Sequence, residues 1–409
     1  AVPLKSGWPA RRATAPFLFR GRGIPTYTRG PTPVNFTTYD VFGSRTHLFY
    51  FQPNSGNLEI WLELLWPAPL QAAAICFYAH LQRRQSEIMS ARLPYLQFYA
   101  VSSASRAAAE SWRPQKTDVI VATYTKCGTT LMQMLIEMLR TRGNTDFEEI
   151  TAVQPWLDFC LDVDVDPSAA QRALPRVFKS HQPIRSLDPD CRVASVVRSP
   201  AAVLKSYHAF YTKKKLVSAP IEEWATTWAD TGTWDGHIIW EYYAQLWERR
   251  AELRRSGADH VDAVPFLLLS FNSLVGATEE HAWRVAQWLD AAEDGDDARA
   301  TRENVERAAM LCARSSMAAM ASQFDDHWLH ERQVERGSAT VMPPAVKVVS
   351  EKNRTHARAV LAPETIELLA RMWTERVAPR TGLASWKEME AALVADHDAW
   401  RATFAVASR

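Results

Sequence analysis

One loop of the sequence combines a positive charge, two hydroxyls and a glycine between an apolar run and a helical pattern. After the apolar run Val119–Ala122 the loop contains, in order, Lys126, Gly128, Thr129 and Thr130. The first N–H groups of a helix have no partner within the helix, and the positive end of the helix dipole lies there, so anions bind at helix starts. Glycine lets the backbone approach a ligand closely. The stretch therefore predicts an anion-binding loop.

The loop is not a Walker A sequence, in which lysine follows the second glycine of G-x-x-x-x-G-K-[ST]. Here Lys126 precedes Gly128, the only glycine of the loop. Both loops offer a lysine and a helix start to a phosphate, but the different position of the lysine means that this loop must hold the phosphate differently. A P-loop-like nucleotide kinase or NTPase remains an alternative. The position of the lysine and the lack of an evident acidic strand end for magnesium disfavour it.

Two more polar residues follow apolar runs further along the chain. His181 comes just after the short run 176–179, and Arg198 comes directly after the run 192–197. Apolar runs that alternate with helical patterns indicate a parallel α/β sheet. Ligands in such sheets bind at the carboxyl ends of the strands. We therefore expect Lys126, His181 and Arg198 to lie at one edge of the sheet.

The elements that position these residues have recognisable boundaries. Apolar residues at helical spacing follow the anion-binding loop and predict a helix that ends near Arg140. A second helix is predicted to start at Ser199-Pro200, since serine is a good N-cap and proline suits the first helical position. The alanine-rich stretch 102–112 predicts another helix, and the apolar run 264–269 predicts one more strand.

Composition limits the class of protein. The chain has 409 residues and a net charge of +1, so no general attraction to nucleic acid or anionic membranes is expected. Five cysteines without metal-ligand spacing suggest a reducing compartment. The apolar segment 64–79 contains two prolines and is too short for a stable membrane span.

Two stretches of the sequence have an unusual charge, and neither predicts a functional site. Residues 1–39 are basic and contain no acid, which suits a disordered lead or the remnant of a transit peptide. An acidic run further on contains Asp158, Asp162, Asp164 and Asp166. Its spacing matches no ligand pattern, so a solvated acidic face is predicted rather than a metal site.

The loop Y-T-K-C-G-T-T, residues 124–130, resembles the Y-P-K-S-G-T-T loop of cytosolic-type sulfotransferases. In that family the loop cradles the 5′-phosphosulfate of 3′-phosphoadenosine-5′-phosphosulfate (PAPS). The resemblance implies that the co-substrate is bound by Lys126, Cys127, Gly128, Thr129 and Thr130. A proline, a serine and a tryptophan of the family are replaced here by Thr125, Cys127 and Leu131.

The stretch P-R-V-F-K-S-H-Q-P, residues 175–183, is similar to the family's P-R-x-x-K-T-H-L-P. The resemblance implies that His181 is the general base and that Lys179 is a second lysine near the transferred sulfuryl group. A histidine with an ordinary pKa of about 6.5 suits the removal of a proton from an acceptor near neutral pH.

The stretch V-V-R-S-P-A-A-V-L-K-S-Y, residues 196–207, resembles the family's R-N-P-K-D-V-A-V-S-Y with the same separation of arginine and serine. The resemblance implies that Arg198 and Ser206 hold the 3′-phosphate of the nucleotide. Arginine would supply a bidentate fork and serine one hydroxyl.

Four further residues are assigned by the resemblance alone. Phe210 falls where the family places an aromatic residue of the acceptor pocket, and Phe271 replaces a tyrosine near the adenine. The late R-K-G element of the family is not matched cleanly. Lys352 and Arg354 are the cations available to complete the 3′-phosphate site.

The resemblance covers about residues 93–392 and implies an α/β fold with a P-loop-like central parallel sheet flanked by helices. Residues 1–92 would be an N-terminal extension of unknown role, and residues 393–409 a C-terminal tail. The implied activity is sulfuryl transfer from PAPS, without a metal, to a hydroxyl or amine of a small-molecule acceptor. The implied location is cytoplasmic, or organellar if the basic N-terminus is a transit remnant.

Several alternatives and questions stay open. A non-catalytic nucleotide-binding protein is, like the kinase, an alternative to the sulfotransferase. A membrane-anchored carbohydrate sulfotransferase is disfavoured by the absent anchor and the sparse cysteines. The identity of the acceptor and the oligomeric state do not follow from the sequence.

Overall fold

The structure is a computed structural model of the chain, which divides into two compact units, residues 1–91 and 92–409. In the first unit it describes the residues of four strands. In the second it describes residues 101–187, 191–214, 217–232, 237–255, 265–291, 298–338, 341–349 and 359–407. No helix within these residues is both long enough and apolar enough to span a membrane.

The first unit contains an antiparallel four-stranded sheet. Its strands are β1 (Arg12–Thr14), β2 (Phe36–Val41), β3 (Ser44–Phe51) and β4 (Glu59–Leu62). They pair in the order β1-β4-β3-β2.

The second unit is built on a parallel four-stranded sheet, as predicted for this part of the chain. Its strands are β5 (Val119–Ala122), β6 (Val177–Ser180), β7 (Arg192–Val197) and β8 (Phe266–Ser270). They lie in the order β6-β5-β7-β8, and every pairing is parallel. The segments that follow β6, β5 and β7 therefore leave the sheet side by side at one edge.

Helices surround this sheet on both faces. They are α1 (Ser103–Ser111), α2 (Thr129–Arg140), α3 (Ile150–Val153), α4 (Pro200–Lys213), α5 (Ile221–Thr231), α6 (Ile239–Arg255), α7 (Phe271–Gly276), α8 (Thr278–Asp290), α9 (Arg302–Cys312), α10 (Arg314–Ala319), α11 (His327–Glu335), α12 (Pro363–Arg376), α13 (Ala378–Thr381) and α14 (Trp386–Ala407).

Successive residues of a strand point to opposite faces, and both faces of this sheet are covered. Ile120 and Phe178 belong to the apolar core that includes side chains of α4, α5, α6 and α12. Val119 and Val121 belong to a second core with side chains of α2, α8 and α9. All strand residues of the sheet are buried, which explains why the strands appear in the sequence as mainly apolar runs.

The predicted boundaries are close to the observed ones. The helix after the anion-binding loop ends at Arg140, and α4 begins at Pro200 with Ser199 as its N-cap. The Ser199 side chain makes no capping hydrogen bond, so the proline and the preceding strand define this helix start. The last strand begins at Phe266, two residues later than predicted.

Candidate functional site

A cavity of about 720 Å³ opens at the carboxyl edge of the parallel sheet. The strand ends and helix starts at this edge bring together most of the residues that the sequence singled out. Those that line the cavity are Lys126, Gly128, Thr129, Thr130, Lys179, His181, Arg198, Ser206, Phe210 and Phe271.

Three predicted residues are not placed in the cavity. The side chain of Cys127 is fully buried, and its Sγ lies 3.2 Å from the hydroxyl oxygen of Tyr243. Burial raises the pKa of the Cys127 thiol to about 12, so the thiol is neutral at physiological pH. Lys352 and Arg354 lie outside the described residues.

Position 128 requires a glycine for two reasons, its backbone conformation and the nearby side chain of Phe271. Its φ of +123° is rarely adopted by residues with a side chain. A Cβ added there would also lie 2.7 Å from Cδ2 of Phe271. Helix α2 starts at the next residue, Thr129, so the first free N–H groups of the helix follow this close approach. The loop thus forms a narrow cradle beside Phe271, directly before the helix start.

The two threonines of the loop have different surroundings. The Thr129 hydroxyl oxygen lies 2.5 Å from that of Thr123, the residue that follows β5. This contact ties the helix start to the end of the central strand. Thr130 is only partly buried and lines the cavity.

A hydrogen bond to the backbone fixes the tautomer of His181. Its Nδ1 lies 2.8 Å from the carbonyl oxygen of Thr123. A carbonyl can only accept, so Nδ1 carries the proton and Nε2 keeps its lone pair. Burial, followed by the charge of Lys179, lowers the pKa of His181 well below its usual 6.5. The imidazole is therefore neutral at pH 7, with an unprotonated Nε2.

Asp158 supports the segment that carries His181. It is buried, and its carboxylate accepts hydrogen bonds from the His181 backbone N–H at 3.0 Å and from Trp156 Nε1 at 2.5 Å. The prediction that the acidic run forms a solvated face is therefore wrong for Asp158. Asp164 is exposed, as that prediction expected, and it also pairs with Arg336. Across the described part of the chain, no three His, Cys, Asp or Glu side chains are grouped so that they could hold a metal ion.

Lys126 and Lys179 are ammonium groups in a poorly solvated environment. The Nζ of Lys126 lies 3.8 Å from the ring centroid of Phe210, and that of Lys179 lies 3.3 Å from the ring of Trp156. Burial, followed by the charge of Lys347, lowers the pKa of each lysine from 10.5 to about 7. A bound anion would favour the protonated forms, so both groups are arranged to respond to negative charge.

A buried ion pair between Asp326 and Lys347 was not predicted. The two side chains are in direct contact and are 3% and 10% exposed. Burial disfavours both charges, but the attraction outweighs it, so the pKa of Lys347 is raised and that of Asp326 is held well below its usual value. Both residues line the cavity. Because they are 21 positions apart in irregular segments, no local pattern in the sequence indicates their contact.

Tyr243 connects the loop to the strand end that carries Arg198. Its buried hydroxyl donates to the Arg198 carbonyl at 2.5 Å and accepts from the Arg198 N–H at 3.0 Å. The same hydroxyl contacts Cys127. Arg198 Nη1 donates to the carbonyl oxygen of Lys126 at 3.1 Å, and its guanidinium lies 4.5 Å from the ring of Phe271. The arginine is therefore fixed beside the loop.

Comparison with known proteins agrees with this geometry. The family model described as "Sulfotransferase domain" matches residues 116–335, which is more than half of the chain. This range includes β5 to β8 and the described cavity residues up to Asp326.

Individual relatives are distant. The chain is 24% identical over 161 residues to Sulfotransferase 1 family member D1 of Mus musculus, which covers 36% of this chain and 53% of that protein. It is 29% identical over 122 residues to Cytosolic sulfotransferase 5 of Arabidopsis thaliana, which covers 26% of this chain and 38% of the relative. The chain thus spans about half the length of the mouse protein.

A solved structure of retinol dehydratase, in complex with androsterone and inactive cofactor PAP, is similar at a TM-score of 0.49 and 14% identity. The similarity covers 67% of this chain and 84% of that one.

Proposed function

Because the chain belongs to the sulfotransferase domain family, we propose that it transfers the sulfuryl group of PAPS to a hydroxyl or amine of a small-molecule acceptor. The observation that carries the proposal is the meeting of three elements in one cavity. These are the cradle at Gly128, the two lysines with depressed pKa, and a neutral histidine with a free Nε2.

The proposed reaction is an in-line displacement at sulfur. The acceptor oxygen or nitrogen forms a bond to sulfur while the bond from sulfur to the phosphate oxygen breaks. The electron pair of that bond stays on the 5′-phosphate of the product, 3′-phosphoadenosine-5′-phosphate (PAP). The acceptor proton passes to Nε2 of His181, whose Nδ1 proton is held by the Thr123 carbonyl.

The loop would stabilise the charge that develops on the leaving group. Lys126 supplies an ammonium group, and Thr130 with the first N–H groups of α2 supplies hydrogen-bond donors. Lys179 would face the transferred sulfuryl group from the neighbouring strand. Catalysis would rest on positioning and fixed charges, as in phosphoryl transfer, and no role is assigned to a metal ion.

Arg198 and Ser206 are assigned to the binding of the nucleotide's 3′-phosphate. Both line the cavity, and Arg198 is anchored by Tyr243 and by the Lys126 carbonyl. Lys352 and Arg354 remain candidates to complete this site. Phe271, whose ring contacts the Arg198 guanidinium, is assigned to the adenine end.

The acceptor is assigned to the side of the cavity near Phe210. The Phe210 ring lies against Lys126, so an acceptor that packs on this ring would be close to the leaving group. Aromatic side chains at this end suit a small aromatic or polycyclic compound. We propose the cytoplasm as the location, by analogy with the relative named as a cytosolic sulfotransferase.

The test is a transfer assay in EDTA with PAPS and a panel of phenols, sterols and amines, followed by mass spectrometry of the sulfonated product. The wild-type protein should release PAP and product in equal amounts. His181→Ala should bind PAP but release neither at a comparable rate. PAP bound without turnover of any acceptor would favour a non-catalytic nucleotide-binding protein. Turnover of ATP with magnesium would favour a kinase or NTPase.

A further inference from the structure

The cavity holds a buried lysine that the proposed reaction does not use. Lys347 lines the cavity together with Lys126 and Lys179, the two anion-binding lysines of that reaction, and its side chain is only 10% exposed. It lies in an irregular segment, residues 341–349, that contains none of the sequence motifs. A buried ammonium group is costly unless it is paired. A third buried lysine in this cavity is therefore a candidate for a role in the reaction.

Backbone hydrogen bonds fix Lys347 against the turn that carries its partner, Asp326. The Ala345 N–H donates to the carbonyl oxygen of Asp325 at 2.7 Å. The Lys347 N–H donates to the carbonyl oxygen of Phe324 at 3.4 Å. Asp326 itself has a left-handed backbone, with a φ of +67°, at the start of α11, a conformation that Asp adopts more readily than most residues. Its carboxylate directly contacts the ammonium group, so the charge of Lys347 is held in place.

Two more acidic residues act on Lys347 besides Asp326. Glu149 is the buried N-cap of α3, and Asp325 precedes Asp326 in the turn. Burial disfavours the charge of Lys347, but the attraction of these three carboxylates outweighs it, so the pKa of Lys347 is raised. Lys347 therefore stays protonated at pH values at which the two anion-binding lysines lose their protons.

The charge of Lys347 opposes the charges of the two anion-binding lysines. After burial, it is the largest cause of their lowered pKa values of about 7, and Asp326 acts in the opposite direction on both. The other charged groups that act on them are Lys214 and Arg198 for Lys126, and Glu149 and Asp158 for Lys179. The two cations of this set lower the pKa, and the two acids raise it. Each anion-binding lysine is therefore only partly protonated near pH 7.

We propose that Lys347, held by Asp326, is a positioning residue of the reaction that controls the protonation of the two anion-binding lysines and so couples nucleotide binding to proton uptake. The inference rests on the proposed function, in which Lys126 meets the 5′-phosphate and Lys179 the sulfuryl group. In the empty cavity Lys347 disfavours further positive charge. A bound anion favours protonation, so each lysine that was neutral takes one proton from solvent and returns it when the anion leaves.

The test measures how the affinity for PAP depends on pH, by calorimetry in EDTA from pH 6 to 9.5. The affinity of the wild type should begin to fall near pH 7, where Lys126 of the free protein loses its proton. Lys347→Met removes the opposing charge and should move this fall to higher pH by about half a pH unit or more, since a nearby charge typically shifts a pKa by about one unit or more. PAP titrates identically with every variant, so differences between variants belong to the protein.

The two members of the ion pair should move the fall in opposite directions. Asp326→Asn removes an attraction on the two anion-binding lysines and should move the fall to lower pH, while Glu149 and Asp325 still attract Lys347. Lys347→Arg keeps the charge and should retain the pH dependence of the wild type. An ion pair with only a structural role would change stability without moving the fall. If Lys347→Met does not fold, Lys347→Gln takes its place.

Arg250→Met is the matched control, because it breaks another largely buried ion pair, with Asp396, and neither residue belongs to the described cavity lining. Arg254 still pairs with Asp396 in this variant. The control should lower stability and leave the pH of the fall unchanged. An unmoved fall in Lys347→Met would overturn the proposal, as would movement in the same direction by Lys347→Met and Asp326→Asn.

A failure of the proposed function would look different, because PAP would then not bind at any pH. In that case NMR titration of protein labelled with ¹³C at the lysine Cε atoms makes the same comparison without a ligand. Lys126→Arg and Lys179→Arg assign the two signals. Higher pKa values of these lysines in Lys347→Met would support their control by Lys347, and unchanged values would overturn it.

Discussion

The two ends of the cavity hold their charges in different ways. At the loop end, formed by residues 126–130, His181 and Arg198, side chains are fixed by hydrogen bonds to the backbone, such as those of His181 to Thr123 and of Arg198 to Lys126. At the lysine end, formed by Lys213, Lys214, Asp326 and Lys347, one buried ion pair and an aromatic ring provide the described support.

This difference suggests different kinds of recognition. Fixed donors define the position of each atom of a ligand, as a nucleotide and a transition state require. Ammonium groups contribute charge with little directional preference. We therefore expect the loop end to bind one specific ligand and the lysine end to contribute mainly positive electrostatic potential.

The largest effect should come from the loop end at His181. His181→Gln removes the proton acceptor and should lower kcat by about 10²- to 10⁴-fold, the usual contribution of a general base. The affinity for PAP, measured by calorimetry, should change by less than about threefold. A kcat close to that of the wild type would show that another group takes the proton.

Gly128→Ala should be the next most damaging change. The added methyl group must avoid Phe271 in a backbone conformation that favours glycine. We expect PAP to bind about 10- to 100-fold more weakly, with a loss of about 1–2 kcal/mol in the free energy of unfolding.

Gly337→Ala is the matched control for this change, because Gly337 also has a positive φ, of +64°, but no atom lies within 4 Å of its added Cβ. It should show the loss of stability without the loss of PAP affinity. Similar PAP affinities for the two variants would mean that the close approach at Gly128 is not part of the nucleotide site.

The affinity of the loop end for PAP should depend on pH. The free protein holds Lys126 and Lys179 with pKa values of about 7, so both are protonated below pH 7 and lose their protons as pH rises. Bound anions raise these values. Lys126 is assigned to the 5′-phosphate, which PAP retains, so PAP affinity should fall above pH 7 by up to about tenfold per pH unit, with proton uptake on binding.

The measurement is calorimetry at pH 6.5 and 8.5 in two buffers of different ionisation enthalpy. A PAP affinity that is constant over this interval would contradict the arrangement of the lysines.

The smallest effect is expected from Tyr243→Phe. Loss of the hydroxyl leaves the buried N–H of Arg198 without its acceptor and frees Cys127 from its contact. We expect the KM for PAPS to rise about 3- to 10-fold, in line with the loss of one buried hydrogen bond, and the KM for the acceptor to stay constant.

Tyr242→Phe is the matched control, since it removes a buried hydroxyl that donates to the Gln182 carbonyl instead. It should lower stability to a similar extent without a change in the KM for PAPS. If both variants raised that KM equally, Tyr243 would have only a general structural role.

The loop end could be predicted from the sequence more completely than the lysine end. The strands, the anion-binding loop and the positions of His181 and Arg198 follow from local patterns, because apolar runs and helix starts are properties of neighbouring residues. The parallel order of the strands then brings three loops to one edge. For this reason the loop end was foreseen from short motifs.

The lysine end depends on contacts that local patterns do not encode. Asp326 and Lys347 meet through the fold, and Tyr243 reaches Arg198 from a helix 45 positions away. The acidic run around Asp158 predicts a solvated carboxylate, whereas its partners are the His181 N–H and Trp156. Burial of polar groups is set by tertiary packing, which one sequence does not reveal.

The most direct test of the central claim is calorimetric titration of the protein with PAP in EDTA, for the wild type, Lys126→Ala and Arg198→Ala. We predict metal-free binding by the wild type that is weakened at least about tenfold by each substitution, since each removes a charged hydrogen-bond donor. A folded wild-type protein that does not bind PAP, or that binds only ATP with magnesium, would contradict the assignment of the cavity to PAPS.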